Sequence, residues 1–420
     1  MATTNLDRQP EVPPRAAAPA RERAHPPAAS RLAGLSGEGA LDVLSRAREL
    51  EAQGRRVAHL EIGEPQFAPA PHIVEAAQRA LAEGDARYGP PSGLPALRGA
   101  IVDALAHRGV SASAENVLVT PGAKTAVFYS ILATVNAGDE VLLPDPGFPI
   151  YASMTRFVGG TPVGYALDAT RAFAPDIDDI ASKITARTRV ICLNAPHNPT
   201  GGTVSQRDLE RIAELALEHD LLVVTDEIYG RIVFDDARGF TPSIASIPGL
   251  LDRTILVDGF SKAYAMTGYR LGYAVLPSWL VERAIVLAVN GHTCTPPFVQ
   301  RAGIAALTGP QSSVHAMVAE LKRRRDLIVA KLRGVPGLRC AAPAGAFYAF
   351  PDVSDALRSS GLTIKQLADR LLTERGVALL PGSGFGPGGA SGLRISFAGV
   401  AADVATGIDA VADFFTALAA

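Results

Sequence analysis

The sequence has few cysteines, few lysines and no long hydrophobic run. Its 420 residues include three scattered cysteines, Cys192, Cys294 and Cys340, which excludes a disulfide framework and a zinc knuckle. Three separate thiols are typical of a reducing compartment, so we expect a cytoplasmic protein. No apolar segment approaches the roughly 18 residues that a membrane-spanning helix needs, and we expect no membrane partner.

Charge of neither sign dominates the chain. Forty basic residues stand against 42 acidic ones, giving a net charge of −2. This balance argues against a nucleic-acid-binding surface and against a polybasic membrane anchor. Only six of the 40 basic residues are lysines, so each lysine can be considered individually.

Residues 1–30 are rich in alanine, proline and arginine and show no apolar periodicity. Such a segment buries too little surface to offset its ordering entropy, which predicts a disordered tail. An Arg-rich transit peptide is the functional alternative, but Asp7, Glu11 and Glu22 count against it.

From Arg31 the patterns are those of a globular α/β protein. Short apolar runs rich in Val, Ile and Leu alternate with several helical patterns, which indicates a parallel sheet covered on both faces. These runs are Val117–Thr120, Val141–Leu143, Val190–Leu193, Leu221–Thr225 and Thr254–Val257.

The pattern changes near Pro296, which suggests a second, α+β unit. A long helical stretch, Val299–Arg333, is followed by short strands and two further helices. The predicted strands are Ala346–Phe350 and Leu393–Phe397, and the predicted helices are Ile364–Arg375 and Ala401–Leu418.

Polar or ionisable residues follow four of the apolar runs. Because ligands bind beyond the carboxyl ends of strands in open α/β sheets, these residues are expected to meet at one edge. The four segments are Pro121–Thr125, Asn194–Gly201, Asp226–Tyr229 and Asp258–Lys262.

The chemistry of this edge suits an anionic, aromatic, electron-accepting ligand. Gly122 precedes a helix, whose N-terminus favours a phosphate, and Arg270 offers a guanidinium fork. Asp226 at the end of a buried strand needs a cationic partner, which a protonated pyridine nitrogen supplies. A desolvated Lys262 is a competent amine nucleophile. Together these features predict a pyridoxal phosphate site without a metal.

Three motifs then carry a family resemblance over about Leu41–Ala410. They are Asn198-Pro199-Thr200-Gly201, Asp226-Glu227-Ile228-Tyr229, and the segment from Ser261-Lys262 to Arg270. In order and spacing they resemble the class I/II aminotransferases, the fold-type-I pyridoxal phosphate enzymes typified by aspartate aminotransferase. The resemblance implies a large domain with a mostly parallel seven-stranded sheet between helices, a smaller α+β domain, and a homodimer with shared active sites.

We accordingly divide the chain into four parts. Residues 1–30 form the tail, 31–65 the N-terminal segment of the small domain, 66–298 the large cofactor-binding domain, and 299–420 the C-terminal small domain.

The resemblance also implies a role for each matching residue. Lys262 matches the lysine that holds the cofactor as an internal aldimine and moves the proton, and Asp226 the carboxylate that pairs with the pyridinium nitrogen. Tyr229 and Asn198 match the two donors to the ring's 3-oxygen. The remaining matches are Ala123, Lys124, Ser261 and Arg270 at the phosphate, Phe148 stacked on the ring, Tyr88 reaching the partner's phosphate, Arg394 and Gly63 at the substrate carboxylate, and Asn198 also at the substrate.

The implied reaction moves an amino group from an amino acid to a 2-oxo acid in two ping-pong halves. The same residues also support a pyridoxal phosphate lyase or synthase, acting by β- or γ-elimination or replacement, for example on S-adenosylmethionine. Accumulation of the pyridoxamine form with an amino acid alone distinguishes transamination from elimination. A non-catalytic regulator is disfavoured by the intact Lys262, Asp226 and Arg394.

The sequence says less about the substrate side chain. The helix after Lys124, Thr125–Val135, has no basic residue to meet a second carboxylate. The segment Gly34–Ala40 carries Glu38, which suggests a cationic or amino-bearing substrate. His197 and His292 lie near the site in sequence, and we expect structural or substrate-contact roles for them.

Overall fold

The computed structural model describes residues 28–37 and 39–420. Most of the predicted tail and Glu38 therefore lie outside the described residues, and Ser30 begins a short 3₁₀ helix, Ser30–Gly34. The α-helices are α1 (Ala40–Ala52), α2 (Pro71–Ala82), α3 (Pro95–Ala106), α4 (Ala123–Thr134), α5 (Ile150–Phe157), α6 (Ile177–Lys183), α7 (Gln206–Glu218), α8 (Val281–His292), α9 (Pro297–Thr308), α10 (Ser312–Leu332), α11 (Ser354–Ser360), α12 (Ile364–Arg375) and α13 (Ala401–Ala419).

The strands form one large sheet and two small ones. They are β1 (Ala58–His59), β2 (Val117–Thr120), β3 (Glu140–Asp145), β4 (Thr161–Asp168), β5 (Ala174–Pro175), β6 (Thr188–Asn194), β7 (Leu222–Asp226), β8 (Thr254–Gly259), β9 (Gly272–Val275), β10 (Tyr348–Ala349), β11 (Val377–Ala378), β12 (Leu380–Pro381) and β13 (Leu393–Ser396).

The large sheet has the order β2-β9-β8-β7-β6-β3-β4-β5. Its centre, from β8 through β7, β6 and β3 to β4, is parallel, whereas β9 runs antiparallel to both β2 and β8. The α/β class and the mostly parallel sheet are confirmed. The predicted number of seven strands is wrong, because the two-residue β5 adds an antiparallel eighth strand at the edge beside β4.

The central strands are buried on both faces, which explains their unbroken apolar sequences. Every residue of β2, β7, β8 and β9 is buried, and helices cover the sheet on either side. Among the helices, α7 begins where Ser205 caps it by accepting a hydrogen bond from the Asp208 backbone N–H.

Both ends of the chain contribute to the smaller sheets. The N-terminal β1 pairs in parallel with β11, and β13 lies between β10 and β12 in an antiparallel three-stranded sheet. The division at residues 65/66 and 298/299 stays a prediction. The long helical stretch predicted over Val299–Arg333 consists of two helices, because Gly309 and Pro310 separate α9 from α10.

None of the helices in the described ranges is long and apolar enough to cross a membrane.

Candidate active site

The carboxyl ends of β6 and β7 place two polar side chains together. Asn194 and Asp226 are cross-strand partners, and the Asn194 side-chain amide donates a hydrogen bond of 2.9 Å to the Asp226 carbonyl. The backbone N–H of Asn198 in turn donates to the Asn194 Oδ1 at 3.0 Å. This chain of bonds fixes the loop after β6 against the end of β7, where the sequence predicted the site.

A cavity of about 780 Å³ opens at this edge of the sheet. Most of the predicted site residues line it: Gly63, Ala123, Lys124, Phe148, Asn198, Asp226, Tyr229, Ser261, Lys262 and Arg270. Arg394 lies beside it, bound to Asn198, whereas Tyr88 is 87% exposed and does not line it. The structure therefore brings together all the predicted residues except Tyr88.

Asp226 is a buried carboxylate with two neutral donors. The Tyr151 hydroxyl donates to its Oδ2 at 2.8 Å, and the Ile228 backbone N–H donates to its Oδ1 at 3.2 Å. The pKa of Asp226 is raised to about 6, mainly by burial and to a smaller extent by the adjacent Glu227 carboxylate, while the Tyr151 hydrogen bond opposes the rise. A cation placed in the cavity beside this carboxylate would restore its ionised form.

Lys262 follows β8 and extends into the same cavity. Its Nζ donates a hydrogen bond of 2.7 Å to the carbonyl oxygen of Gly63. The ammonium also lies 5.7 Å from the ring centroid of Phe347 and 5.9 Å from that of Tyr229. The N-terminal segment and two aromatic rings thus hold the amine inside the cavity.

One end of the cavity is built to receive an anion. Helix α4 begins at Ala123, so its first backbone N–H groups are available there, and the buried Ser261 lines the same space. Arg270 donates to the Thr267 carbonyl at 2.8 Å, which directs its guanidinium towards Gly122. A Cβ on Gly122 would lie 2.3 Å from the Arg270 Nη2, so only glycine permits this approach.

Arg394 lies beside the cavity, next to Asn198. It is fully buried in the middle of β13, and its Nη1 donates to the Asn198 Oδ1 at 3.2 Å. Its Nη2 donates to the Glu61 carbonyl, and its guanidinium carbon lies 4.7 Å from the Tyr348 ring centroid. A buried guanidinium is suited to bind a carboxylate through two parallel hydrogen bonds.

Aromatic residues complete the walls. Phe148 lines the cavity beside Tyr151, with ring centroids 6.1 Å apart in an edge-to-face arrangement, and the Lys124 Nζ lies 5.3 Å from the Phe148 centroid. The hydroxyls of Tyr229 and Tyr348 are hydrogen-bonded at 2.9 Å.

Several cavity residues were given no role from the sequence, among them Tyr151, Asn194 and Tyr348. Asn194 stands at a strand end that the analysis had singled out, so its position could have drawn attention to it. Tyr151 and Tyr348 belong to no motif, and only the tertiary structure brings them to Asp226 and Tyr229.

His197 and His292 do not line the cavity. His197 is buried, its Nδ1 lies 2.8 Å from the Thr200 hydroxyl, and burial lowers its pKa to about 3. His292 lies 2.8 Å from the Tyr129 hydroxyl, and burial lowers its pKa as well. Within residues 28–37 and 39–420, no group of three or more His, Cys, Asp or Glu side chains could hold a metal ion.

Residues 55–411 match the family model described as aminotransferase class I and II. The chain belongs to this family. The aspartate aminotransferase of Pyrococcus abyssi is 39% identical over 354 residues, which are 83% of this chain and 89% of that protein. Aromatic-amino-acid aminotransferase 2 of Thermococcus litoralis is 37% identical over 352 residues, which are 83% of this chain and 89% of that protein.

A solved relative supports the same assignment. The aspartate aminotransferase of Rhizobium meliloti superposes with a TM-score of 0.87 at 33% identity, covering 92% of this chain and 98% of that one. The predicted family, the fold and the aminotransferase reaction are thereby confirmed, and the lyase alternative is not favoured. Class I and II aminotransferases of this kind use pyridoxal 5′-phosphate, so the cofactor prediction is confirmed too.

Proposed function

We propose that this aminotransferase binds pyridoxal phosphate with Lys262 as its attachment point. The ring nitrogen would face Asp226, and the phosphate would lie in an anion cradle formed by Gly122 and Arg270. The observation that carries the proposal is the shared cavity, which presents the Lys262 amine, the buried Asp226 carboxylate and the anion cradle together. When bound, the cofactor supplies an electrophilic carbon for the substrate amine and an electron sink in its ring.

The residues of the cavity fit this cofactor. The helix α4 N-terminus, Ser261 and Arg270 provide donors for a phosphate, and Ala123 and Lys124 stand at the first turn of that helix. Asp226 provides the buried carboxylate that a protonated ring nitrogen stabilises. Tyr229 and Asn198 are the proposed donors to the ring's 3-oxygen, and Phe148 is the proposed stacking partner.

Lys262 is also the proposed base. With the cofactor and a substrate amino acid bound, the Lys262 amine would be placed to accept the substrate's α-proton and to return it. Gly63 would hold the amine within the cavity, because its carbonyl already accepts the hydrogen bond from Nζ at 2.7 Å.

Arg394 is the proposed partner of the substrate α-carboxylate. Its planar guanidinium is fully buried, and Asn198 fixes one of its nitrogens. A carboxylate paired with it would be desolvated and oriented, which sets the direction of the α-proton relative to Lys262. Gly63 is proposed to border the same carboxylate.

We further propose a homodimer in which Tyr88 reaches the partner's phosphate site. Tyr88 is 87% exposed, and its neighbour Gly89 donates a backbone hydrogen bond to the Cys294 sulfur beyond the end of α8. On α8 itself, Val286 and Val289 are 58% and 45% exposed. This apolar surface around Tyr88 and α8 supports a protein interface. A cytoplasmic location is also proposed, supported by the free state of the three cysteines.

Borohydride reduction of the cofactor-loaded protein, followed by peptide mass mapping, tests the central assignment. We expect the added mass on Lys262, and loss of both trapping and amino transfer in Lys262→Ala. The exposed Lys365 provides the matched control, and Lys365→Ala is expected to behave as the wild type. Added mass on another lysine, or none on Lys262, would contradict the proposal.

A further inference from the structure

Tyr348 links three parts of the active site, although no motif marks it. It lies on β10, opposite Ser396 of β13, and is 1% exposed. Its ring stacks under the guanidinium of Arg394 at 4.7 Å and meets the ring of Tyr229 edge-to-face, with centroids 5.7 Å apart. The side chain is therefore held in one place by contacts on both sides.

The hydroxyl of Tyr348 is also closely packed. A Cβ on Gly63 would lie only 2.1 Å from it, so the backbone that accepts the Lys262 hydrogen bond passes directly beside this oxygen. On its other side the hydroxyl forms the 2.9 Å hydrogen bond with the Tyr229 hydroxyl. Such packing limits the directions in which the Tyr348 proton can point.

We propose that Tyr348 is a positioning residue. Its hydroxyl donates a hydrogen bond to the Tyr229 oxygen and thereby makes Tyr229 a stronger hydrogen-bond donor to the cofactor. This inference rests on the proposed role of Tyr229 at the 3-oxygen. A phenol has a single proton. If Tyr229 uses that proton in a hydrogen bond to the cofactor, Tyr348 must be the donor in the hydrogen bond between the two hydroxyls.

The consequence is electrostatic and can be measured. Hydrogen bonds in a chain polarise one another, so a donor behind Tyr229 makes its own O–H more positive. A stronger donor to the 3-oxygen favours the anionic form of that oxygen, which lowers the pH at which the bound cofactor titrates. Tyr348 would thus help to keep the attached cofactor in its reactive form at neutral pH without touching it.

The test is a pH titration of the bound cofactor's absorbance in Tyr348→Phe, Tyr229→Phe and the double variant. Phenylalanine keeps the ring contacts, so the fold and the Arg394 stacking are retained. We expect Tyr348→Phe to raise the titration midpoint by about 0.5 pH unit, as suits the loss of one hydrogen bond. We expect Tyr229→Phe to raise it more, and the double variant to match Tyr229→Phe, because Tyr348 acts through Tyr229.

Tyr165 offers a matched control, since its hydroxyl is equally buried and donates to the Cys192 carbonyl at 2.9 Å, outside the cavity lining. Tyr165→Phe should leave the midpoint unchanged. An unchanged midpoint in Tyr348→Phe, or additive effects in the double variant, would overturn the inference while leaving the proposed function intact. Failure to trap the cofactor on Lys262 would instead overturn the proposed function, and the inference with it.

Discussion

Gly122 occupies a position that any side chain would obstruct. Its φ of +83° favours glycine, and an added Cβ would lie 2.3 Å from the Arg270 Nη2. We expect Gly122→Ala to weaken cofactor binding by about tenfold or more, because displacing the guanidinium removes its proposed charged contact with the phosphate. Titration of the cofactor-free protein with pyridoxal phosphate measures this.

Gly138 is a control that distinguishes the strain of an alanine at positive φ from the steric clash of its Cβ with Arg270. Its φ is +91°, but an added Cβ would meet nothing within 4 Å. Gly138→Ala should therefore cost stability without changing cofactor affinity. Equal loss of affinity in both variants would show that the contact with Arg270 is not the cause.

Asp226 makes the cofactor-free protein sensitive to pH. Burial raises the pKa of its carboxyl from 3.8 to about 6, so between these values the folded state binds more protons than the unfolded state. The free energy of unfolding should therefore fall as the pH rises from about 4 to 6, by on the order of 2 kcal/mol from this group.

Urea unfolding of cofactor-free Asp226→Asn and wild type between pH 4 and 7 measures this contribution. We expect the free energy of unfolding of Asp226→Asn to fall less steeply with pH than that of the wild type. Above pH 6 the variant should therefore be more stable than the wild type. Asp258, whose pKa burial also raises to about 6, should account for a remaining decline. Identical slopes in the two proteins would refute the expectation.

The residues of the site differ in how far they could be predicted from the sequence. Lys262 and Asp226 could be predicted because each follows an apolar strand, and the carboxyl ends of neighbouring parallel strands converge. Tyr348 could not be predicted in this way. It meets Tyr229 across 119 residues of sequence, and that contact depends on how the segment around β10 packs against the large sheet.

The ends of β7 and β8 are joined by a buried ionic network centred on Arg108, next to the end of α3. Its guanidinium bonds to Glu227 and lies 3.5 Å from Asp258, while Ser243 donates to Glu227 at 2.7 Å. Asp226 precedes Glu227, and Lys262 follows Asp258 by four residues, so the network is close in sequence to two proposed catalytic residues.

We expect Arg108→Met to destabilise the protein by about 3–5 kcal/mol, since it leaves two buried carboxylates without their cation. Denaturant unfolding gives the difference. Arg211, whose ion pair with Glu214 is exposed, is the control, and Arg211→Met should change stability by less than about 1 kcal/mol. A small effect at Arg108 would mean that the two carboxylates are protonated or rehydrated instead.

Among the elements, the buried strands of the large sheet were the easiest to predict. The boundaries predicted for Val117–Thr120 agree with β2, and those for the other four runs fall within one to two residues of β3, β6, β7 and β8. The short β9 was not recognised, and its antiparallel direction arises from pairing with β2 and β8.

For the molecule as a whole, substitutions on the exposed face of α8 test the proposed dimer. The double variant Val286→Asp, Val289→Asp should yield a monomer, because it places two charges in an apolar interface. Cofactor affinity should fall with it, since Tyr88 would no longer reach a partner. Sedimentation and cofactor titration measure the two effects.

Leu217 on α7 provides the control for this experiment. It is 49% exposed, comparable to the two valines, and belongs to a different helix. Leu217→Asp should leave both the mass in solution and the cofactor affinity unchanged. A wild-type protein that sediments as a monomer would contradict the homodimer.

The pairing of β1 with β11, and the bond from Arg394 to the Glu61 carbonyl across 333 residues, have a consequence for biosynthesis. During translation, the stretch around Glu61 leaves the ribosome long before its partners are made. All strands of the large sheet, β2 to β9, precede Arg394 in the chain and emerge before the guanidinium that is proposed to bind the substrate carboxylate. A nascent chain that stops before Arg394 would therefore contain the large sheet but lack the arginine that is proposed to bind the substrate carboxylate.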